Sequence, residues 1–300
     1  MRRPLAGLLV VAALALAATG EAGEELPAEV FEAVPPVDGI PGPLFLETPT
    51  LTFVPKGTMR VTVGAQLLHG VELPYSGLAG DLAQLGLTRV EIGFGRTIQV
   101  RIQGAIQQVL RVDESRSDPK PWVDVDGGVT RDSGDFSVLT VAQVLPQRGW
   151  KPAWGLRVEV KLPNTDQTKG IGTNTTDVLL SVPGQKRLGR LLLNSDLGIG
   201  ILTVPTNAQR QTDVLLYGFG AAWDLGPRWM LSGEVNGRWS SAGGAPGTGN
   251  RADLRAGVAW SYRSWALGLT LAHGFGEGGE DVGATLAVSY GFRVLEKVSR

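Results

Sequence analysis

The sequence predicts an all-β protein, an antiparallel transmembrane β-barrel of about 12 strands. Three observations support this prediction. Apolar and polar residues alternate with a period of two along most of the chain after Lys56. The alternating segments are longer than the strands of most soluble proteins. Long and short connections follow one another between these segments, as in a barrel that has tight turns at one end.

The segment 251–260, RADLRAGVAW, shows the alternation clearly. Successive side chains of an extended strand point to opposite faces of the sheet. One face of this strand carries Ala252, Leu254, Ala256, Val258 and Trp260, and the other carries Arg251, Asp253 and Arg255. The apolar face contacts either a protein core or membrane lipid. In the barrel hypothesis it contacts lipid, and the charged face points into the interior.

Twelve segments alternate in this way, and most of them have 9 to 13 residues. Strands of soluble proteins average nearer five or six residues, whereas a tilted strand needs roughly 9–11 residues to cross a bilayer. The segments are approximately 58–68, 87–95, 97–110, 135–145, 153–161, 176–183, 189–203, 212–223, 228–239, 251–261, 265–275 and 281–293. Because their boundaries are approximate, a count of about ten or about fourteen strands stays open.

The connections between the segments support the same architecture. The odd-numbered connections are 69–86, 111–134, 162–175, 204–211, 240–250 and 276–280. The even-numbered connections are Arg96 alone, 146–152, 184–188, 224–227 and 262–264. An even number of antiparallel strands with short turns on one side is typical of bacterial outer-membrane barrels. A soluble β protein is the alternative.

The N-terminal part of the chain divides into two pieces before the predicted barrel at 57–300. Arg2 and Arg3 precede an apolar run and then small residues, which predicts a signal peptide over 1–20, with an N-terminal membrane anchor as the alternative. Residues 21–56 are acidic and rich in proline. That composition predicts an extended, poorly ordered arm, and the alternative is a short plug inside the barrel.

The residues that usually carry catalysis or bind metals are scarce. The chain has no cysteine, so disulfides are excluded, and its two histidines, His69 and His273, lie far apart in the sequence. We therefore expect no cofactor, no metal site and no enzymatic activity. GIGTNT at 170–175 lacks the Gly-Lys-Ser/Thr end of a phosphate-binding loop. A net charge of −1 gives no reason to expect a nucleic-acid partner.

The charged residues of the strands fall on the parity opposite to the apolar residues. An Arg or Lys that faced hydrocarbon near the bilayer midplane would cost ~2–4 kcal/mol, so we expect these charges inside the barrel. The residues predicted to line the lumen are Arg89, Glu91, Arg101, Arg157, Glu159, Glu234, Arg238, Asp253 and Arg255. The same rule places Arg190 and Asp196 inside. These charges form either a polar path for a solute or ion pairs that fill the bore.

Aromatic residues concentrate near the ends of the predicted strands. Aromatic belts at the headgroup level of a membrane would place them there, although aromatic residues also favour strands in general. The residues are Trp154, Trp223, Trp229, Trp260, Trp265, Tyr262 and Tyr290.

A series of segments carries a resemblance to a known family. These segments are PKGTMRVTVGAQ at 55–66, GLTRVEIGFGRTIQVRIQG at 86–104, SGDFSVLTVAQVLP at 133–146, GLRVEVKLPN at 155–164, GIGTNTTDVLLSV at 170–182, NSDLGIGI at 194–201 and YGFGAAWDLGPRWMLSGEVNG at 217–237. Their order resembles the outer-membrane transporter family named for the MetA pathway of phenol degradation. The resemblance covers roughly 50–292. It implies an outer-membrane β-barrel that passes small, often hydrophobic or aromatic compounds, and it implies no catalytic residues.

Taken together, these observations predict a passive channel or transporter in the bacterial outer membrane. Its expected partners are outer-membrane lipid, a small-molecule solute and the barrel-insertion machinery. The loops at 69–86 and 111–134 are expected to fold over the mouth. The alternatives are a structural or adhesive envelope barrel with a closed, salt-bridged interior, and an outer-membrane lipid-modifying enzyme.

Overall fold

The computed structural model describes residues 46–125, 127–205, 207–241 and 243–294. The predicted signal peptide and the first part of the predicted arm, 21–45, lie outside these residues. The described strands are β1 Thr58–Leu73, β2 Leu78–Gly93, β3 Ile98–Val112, β4 Val129–Asp132, β5 Ser137–Leu145, β6 Ala153–Lys161, β7 Asp177–Leu188, β8 Leu191–Val204, β9 Asn207–Asp224, β10 Trp229–Trp239, β11 Arg251–Tyr262, β12 Trp265–Gly276 and β13 Val282–Arg293. Among the described residues, no helix is long and apolar enough to cross a membrane.

The strands form one closed antiparallel barrel, as the sequence predicts. β1 pairs with β13 on one side and with β2 on the other, and β2 also pairs with β3, so the sheet returns on itself. β3 then pairs with β5 through its first six residues, 98–103. The short β4 pairs only with the far end of β3, at 108–111. The wall of the barrel therefore consists of 12 strands, and β4 is an addition to its rim.

Each strand directs polar residues inward and apolar residues outward. In β11, Asp253 is 6% exposed, whereas its neighbour Leu254 is 52% exposed. The other strands repeat this pattern, because large apolar residues such as Leu197, Ile199 and Leu269 are among the most exposed side chains. An outer surface of this kind is stable only against hydrocarbon. The parity predicted for RADLRAGVAW is confirmed.

The hairpin of β1 and β2 differs from the prediction. Both strands have 16 residues, and they meet in a tight connection at 74–77, so the long loop predicted at 69–86 is wrong. The pattern fails there because the outward residues change from apolar to polar, as at His69 and Asp81. The inward residues of the extension are apolar, as at Leu78. This change fits a hairpin that continues past the lipid layer.

The predicted connection 184–188 lies within β7, which ends at Leu188. Two of the predicted long connections also need correction. The predicted loop 204–211 is almost entirely strand, because β8 ends at Val204 and β9 begins at Asn207. The predicted loop 111–134 contains β4. In both places the strand extends beyond the hydrocarbon layer, where its side chains are polar. The alternation of apolar and polar residues that predicts a strand is therefore lost there.

The barrel has two unlike ends. The turn end carries the short connections 94–97, 146–152, 189–190, 225–228 and 263–264, together with the start of β1 and the end of β13. The loop end carries 74–77, 113–136, 162–176, 205–206, 240–250 and 277–281.

Two predictions concern residues at the turn end. Arg190 lies in the turn between β7 and β8 and is exposed, so its predicted inward position is wrong. All seven aromatic residues of the predicted belt lie toward the turn end. Trp260 stacks on Tyr262, and Trp265 packs against Tyr290 with ring centroids 4.6 Å apart. The predicted belt residues therefore lie at one end of the barrel, on β6 and on β9 to β13.

Candidate functional site in the bore

Residues 46–56, which we name the bore segment, lie against side chains that point into the barrel. The carboxylate of Glu234 accepts two hydrogen bonds from the backbone of the bore segment. One comes from the N–H of Glu47 and one from the N–H of Thr48, both at 2.8 Å. The Glu234 residue is only 4% exposed. A buried carboxylate therefore binds two consecutive backbone amides, which are charge-assisted contacts of above-average strength.

Two glutamines hold the rest of the bore segment. The side-chain oxygen of Gln185 accepts a hydrogen bond from the Leu51 N–H at 2.7 Å, and that of Gln99 accepts one from the Val54 N–H at 2.9 Å. Backbone N–H groups that leave water need partners, and here no neighbouring strand supplies them. Side-chain acceptors on the wall take that role.

An apolar contact accompanies these hydrogen bonds. Leu51 is buried in a cluster with Leu139, Val141 and Ala153 on the inner wall. Gly155 makes room for it, since a Cβ at that position would lie 2.6 Å from the Leu51 side chain and 2.7 Å from the Ala142 carbonyl oxygen. The glycine lets the segment approach the wall closely. The described end of the predicted arm, 46–56, therefore lies against the inner wall of the barrel.

Glu47 is the acidic side chain that the bore segment presents to the wall. Its carboxylate lies 3.0 Å from the guanidinium of Arg255. Burial within the barrel would raise the pKa of Glu47, but the positive charges of Arg255, Arg89 and Arg101 outweigh it and lower the pKa from 4.5 to about 2. The side chain still keeps 41% of its surface exposed, because it borders open space in the bore.

A second group of charges lies on β2 and β3. Glu91 accepts hydrogen bonds from Arg101 at 2.9 and 3.2 Å and from the amide of Gln99 at 3.0 Å. Arg60 on β1 approaches the same carboxylate at 3.7 Å. Gln99 therefore bridges the ion pair and the bore segment, because its oxygen binds Val54 while its nitrogen binds Glu91.

Other ion pairs line the remaining wall. Arg157 lies 3.1 Å from Asp196 and 3.8 Å from Glu159. Asp253 pairs with Arg251 at 2.7 Å. Opposite charges thus neutralise one another locally, within one strand or, for Arg157 and Asp196, between β6 and β8.

The structure directs all nine predicted lumen residues inward but distributes them among several groups. The side chain of Arg238 donates hydrogen bonds to two backbone carbonyl oxygens, that of Gly249 at 2.8 Å and that of Gly247 at 3.3 Å. Sequence reasoning missed Glu47, Gln99 and Gln185. The inward parity of β3 and β7 could have found the two glutamines, since it does not depend on charge.

A cavity of about 340 Å³ remains beside the bore segment. Small-ligand pockets of proteins begin at roughly 300 Å³. Its lining comprises Glu47, Thr48, Pro49, Arg101, Gln103, Leu139, Arg157, Glu159, Leu179, Asp196, Leu216, Tyr217, Gly218, Asn236, Gly237, Arg238, Arg251, Asp253 and Arg255. Six of the nine predicted residues are among them, and Glu234, Arg89 and Glu91 lie outside this list.

The loop end is closed in a different way. Val71, Leu78, Leu82, Leu110 and Ile171 form an apolar cluster there. It joins the hairpin of β1 and β2 to β3 and to the connection between β6 and β7.

The loops also reach one another across this end. The hydroxyl of Tyr75 donates to the carbonyl oxygen of Gly172 at 3.0 Å, and the Tyr75 ring stacks on Trp122. Gly247, in the connection between β10 and β11, packs so near to Tyr75 and Pro205 that a Cβ there would lie 3.2 Å and 2.9 Å from them. These contacts place Tyr75 and Trp122, from the two loops expected over the mouth, 69–86 and 111–134, side by side at this end.

The two histidines lie on the outer surface near the loop end. His69 contacts Asp81 at 2.6 Å, and both side chains are more than half exposed. His273 packs edge-on against Phe275. Within the described ranges, no group of three or more His, Cys, Asp or Glu side chains is placed to hold a metal ion.

The fold is similar to that of a solved outer membrane channel from Pseudomonas putida F1. The TM-score is 0.59 at 14% sequence identity, and the match covers 82% of this chain and 100% of the other. The transport unit of the autotransporter AIDA-I from Escherichia coli matches with a TM-score of 0.44 at 10% identity, over 82% and 93% of the two chains. The monoaromatic hydrocarbon channel CymD matches with a TM-score of 0.40 at 10% identity, over 80% and 88%.

No protein-family model matches the chain, and no curated protein sequence matches it either. The similarity to the Pseudomonas channel therefore shows a common fold, a closed barrel of the outer-membrane type.

Proposed function

We propose that the protein is a passive channel of the bacterial outer membrane for small solutes, and that the bore is the solute path. The observation that carries this proposal is the polar cavity of about 340 Å³ inside a closed barrel whose outer surface is apolar. A wall of this kind separates water in the bore from lipid outside. Selectivity then depends on the bore radius and on the charges that line it.

The bore segment is the closure of this path. It enters from the turn end, next to the start of β1, and reaches Glu234 near the middle of β10. Its contacts with Glu234, Gln185 and Gln99 are hydrogen bonds that water can replace. Release of the segment would therefore widen the bore without disturbing the strands.

The solute class of the proposal follows the resemblance seen in the sequence. That resemblance implies small hydrophobic or aromatic compounds, of which phenols are one case. The cavity offers Leu139, Leu179 and Leu216 to an apolar part of such a solute. Its charged residues would contact any polar substituent.

Single-channel recording in a planar bilayer tests the channel. We expect a low conductance for the refolded chain and a shift of ion selectivity toward cations in Arg101→Glu and Arg255→Glu. The reason is that each substitution replaces a positive charge of the bore by a negative one. Folding of every variant is checked by heat-modifiable migration on a gel. Unchanged ion selectivity in both variants would show that ions do not pass through the bore.

A structural barrel is the second candidate, and one observation favours it: both ends of the barrel are occupied, by the bore segment and by the loops. A chain that folds correctly yet never conducts, even after the bore segment is loosened, would support this alternative. Conductance after loosening would support the channel.

A further inference from the structure

Glu47 makes a contact unlike the others of the bore segment. The segment otherwise contacts the wall through backbone groups, the hydroxyl of Thr52 and apolar side chains. In the described part of the chain, Glu47 alone among segment residues forms an ion pair with the wall, at 3.0 Å from Arg255. Its carboxylate also borders the cavity and remains partly exposed. The Glu47 carboxylate is thus a small anionic group that contacts the guanidinium of Arg255 at the edge of the cavity.

Glu47 supplies the nearest negative charge to Arg255. The guanidinium of Arg255 lies 3.0 Å from the carboxylate of Glu47 and 3.8 Å from that of Glu234. Arg89 and Arg101 also act on Glu47, so its departure removes the nearer anion from a group of three arginines. Loss of a counter-charge within a barrel wall is costly, which favours replacement by another anion.

The adjoining cavity has the remaining features of a site for an anion with an apolar body. The Nε–H of Arg255 and the side-chain nitrogen of Asn236 are buried donors without a hydrogen-bond partner in the described structure. Both residues line the cavity, as do Leu216 and Tyr217. Donors without partners call for an acceptor, and a carboxylate offers several lone pairs.

We propose that Glu47 occupies the position of a solute carboxylate, and that the bore binds small carboxylates with an apolar body in competition with the bore segment. This inference rests on the proposed function, because it names the solute class of the same bore. It makes the bore segment an internal competitor. A bound carboxylate would take the place of Glu47 beside Arg255 and so weaken the hold of the segment.

Calorimetric titration of the refolded chain in detergent tests the inference without any need for transport. The probe is benzoate, and benzamide is the neutral control of equal shape. In Glu47→Gln the carboxylate that competes for Arg255 is lost. We expect benzoate to bind about tenfold more tightly than in the wild type, because its carboxylate can then make the charge-assisted contact with the guanidinium. Benzamide affinity should not change. Arg255→Gln should abolish benzoate binding in both backgrounds.

Glu159→Gln is the matched control, because Glu159 lines the same cavity but lies near Arg157 rather than Arg255. Its benzoate affinity should equal that of the wild type. Equal benzoate affinity in Glu47→Gln and the wild type would overturn the inference, and so would an equal gain for benzamide. Failure of the channel proposal is separate, since a chain that never conducts can still show the charge-specific gain in benzoate affinity.

Discussion

The two ends of the barrel are closed by different kinds of contact. At the loop end, side chains such as Leu78 and Leu110 are almost completely buried in an apolar cluster, and Tyr75 joins separate loops. From the turn end, one extended segment enters and is held by hydrogen bonds to Glu234, Gln185 and Gln99, by an ion pair of Glu47 with Arg255 and by the apolar contact of Leu51.

This difference indicates which closure can open. An apolar cluster loses its stabilisation when it is exposed to water, by about 25 cal/mol per Å² of apolar surface. A hydrogen bond exchanged for one with water changes the free energy by only about 0.5–1.5 kcal/mol. The bore segment adds the buried side chains Leu46, Leu51 and Val54 to its hydrogen bonds, whereas the loop end depends on the apolar cluster itself. We therefore propose that the bore segment is the closure that opens.

The largest effect is expected at the loop end. Leu110→Ala removes a fully buried side chain from the apolar cluster. We expect the free energy of unfolding to fall by about 2–5 kcal/mol, the usual cost of such a cavity. Denaturant unfolding followed by tryptophan fluorescence measures it. Single-channel conductance of the variant should stay near that of the wild type, and a large rise would show that the loop end is the gate.

The next effect concerns Glu234. In Glu234→Gln the amide oxygen cannot serve both backbone N–H groups as the carboxylate does, and hydrogen bonds to charged groups contribute roughly 1.5–3 kcal/mol. We expect the bore segment to detach more often. Because the chain has no cysteine, Val54→Cys provides a single buried thiol whose labelling rate reports detachment.

The matched control for this labelling is Glu159→Gln, which removes a bore carboxylate that makes no contact with the segment backbone among the described residues. Its labelling rate should equal that of the parent chain. Equal rates in Glu234→Gln and the parent would mean that Glu234 does not hold the segment.

Acid should loosen the same closure. The pKa of Glu47 is about 2 in the docked segment and returns toward 4.5 when the segment leaves. A lowered pKa stabilises the docked state fully above pH 4.5, and this contribution is lost as the pH falls from about 4.5 to about 2. The Val54→Cys labelling rate, corrected for thiolate content, should therefore rise across this range. Glu47→Gln should remove that part of the rise.

The smallest effect is expected for a single neutral hydrogen bond. Gln185→Ala removes the acceptor of the Leu51 N–H. Loss of such a bond costs about 0.5–1.5 kcal/mol, and water in the bore can replace part of it. Labelling of Val54→Cys should increase severalfold at most. An increase larger than that in Glu234→Gln would reverse the order of the two contacts.

The strands and their inward faces could be predicted because lipid imposes a strict rule on outward residues. The β1–β2 hairpin could not, because beyond the lipid layer polar residues such as His69 and Asp81 are allowed outside. The bore segment could not either. Its prolines remove periodicity, and its partners Glu234 and Gln185 lie far along the chain, so only the folded barrel brings them together.

The most direct measurement is the single-channel conductance of Glu234→Gln beside the wild type in the same bilayer. If the bore segment closes a continuous polar path, the variant should conduct more, with longer open times, while the barrel remains folded by heat-modifiable migration. A folded variant whose bore segment labels rapidly but whose conductance equals that of the wild type would contradict this account, because a detached segment would then leave the bore closed.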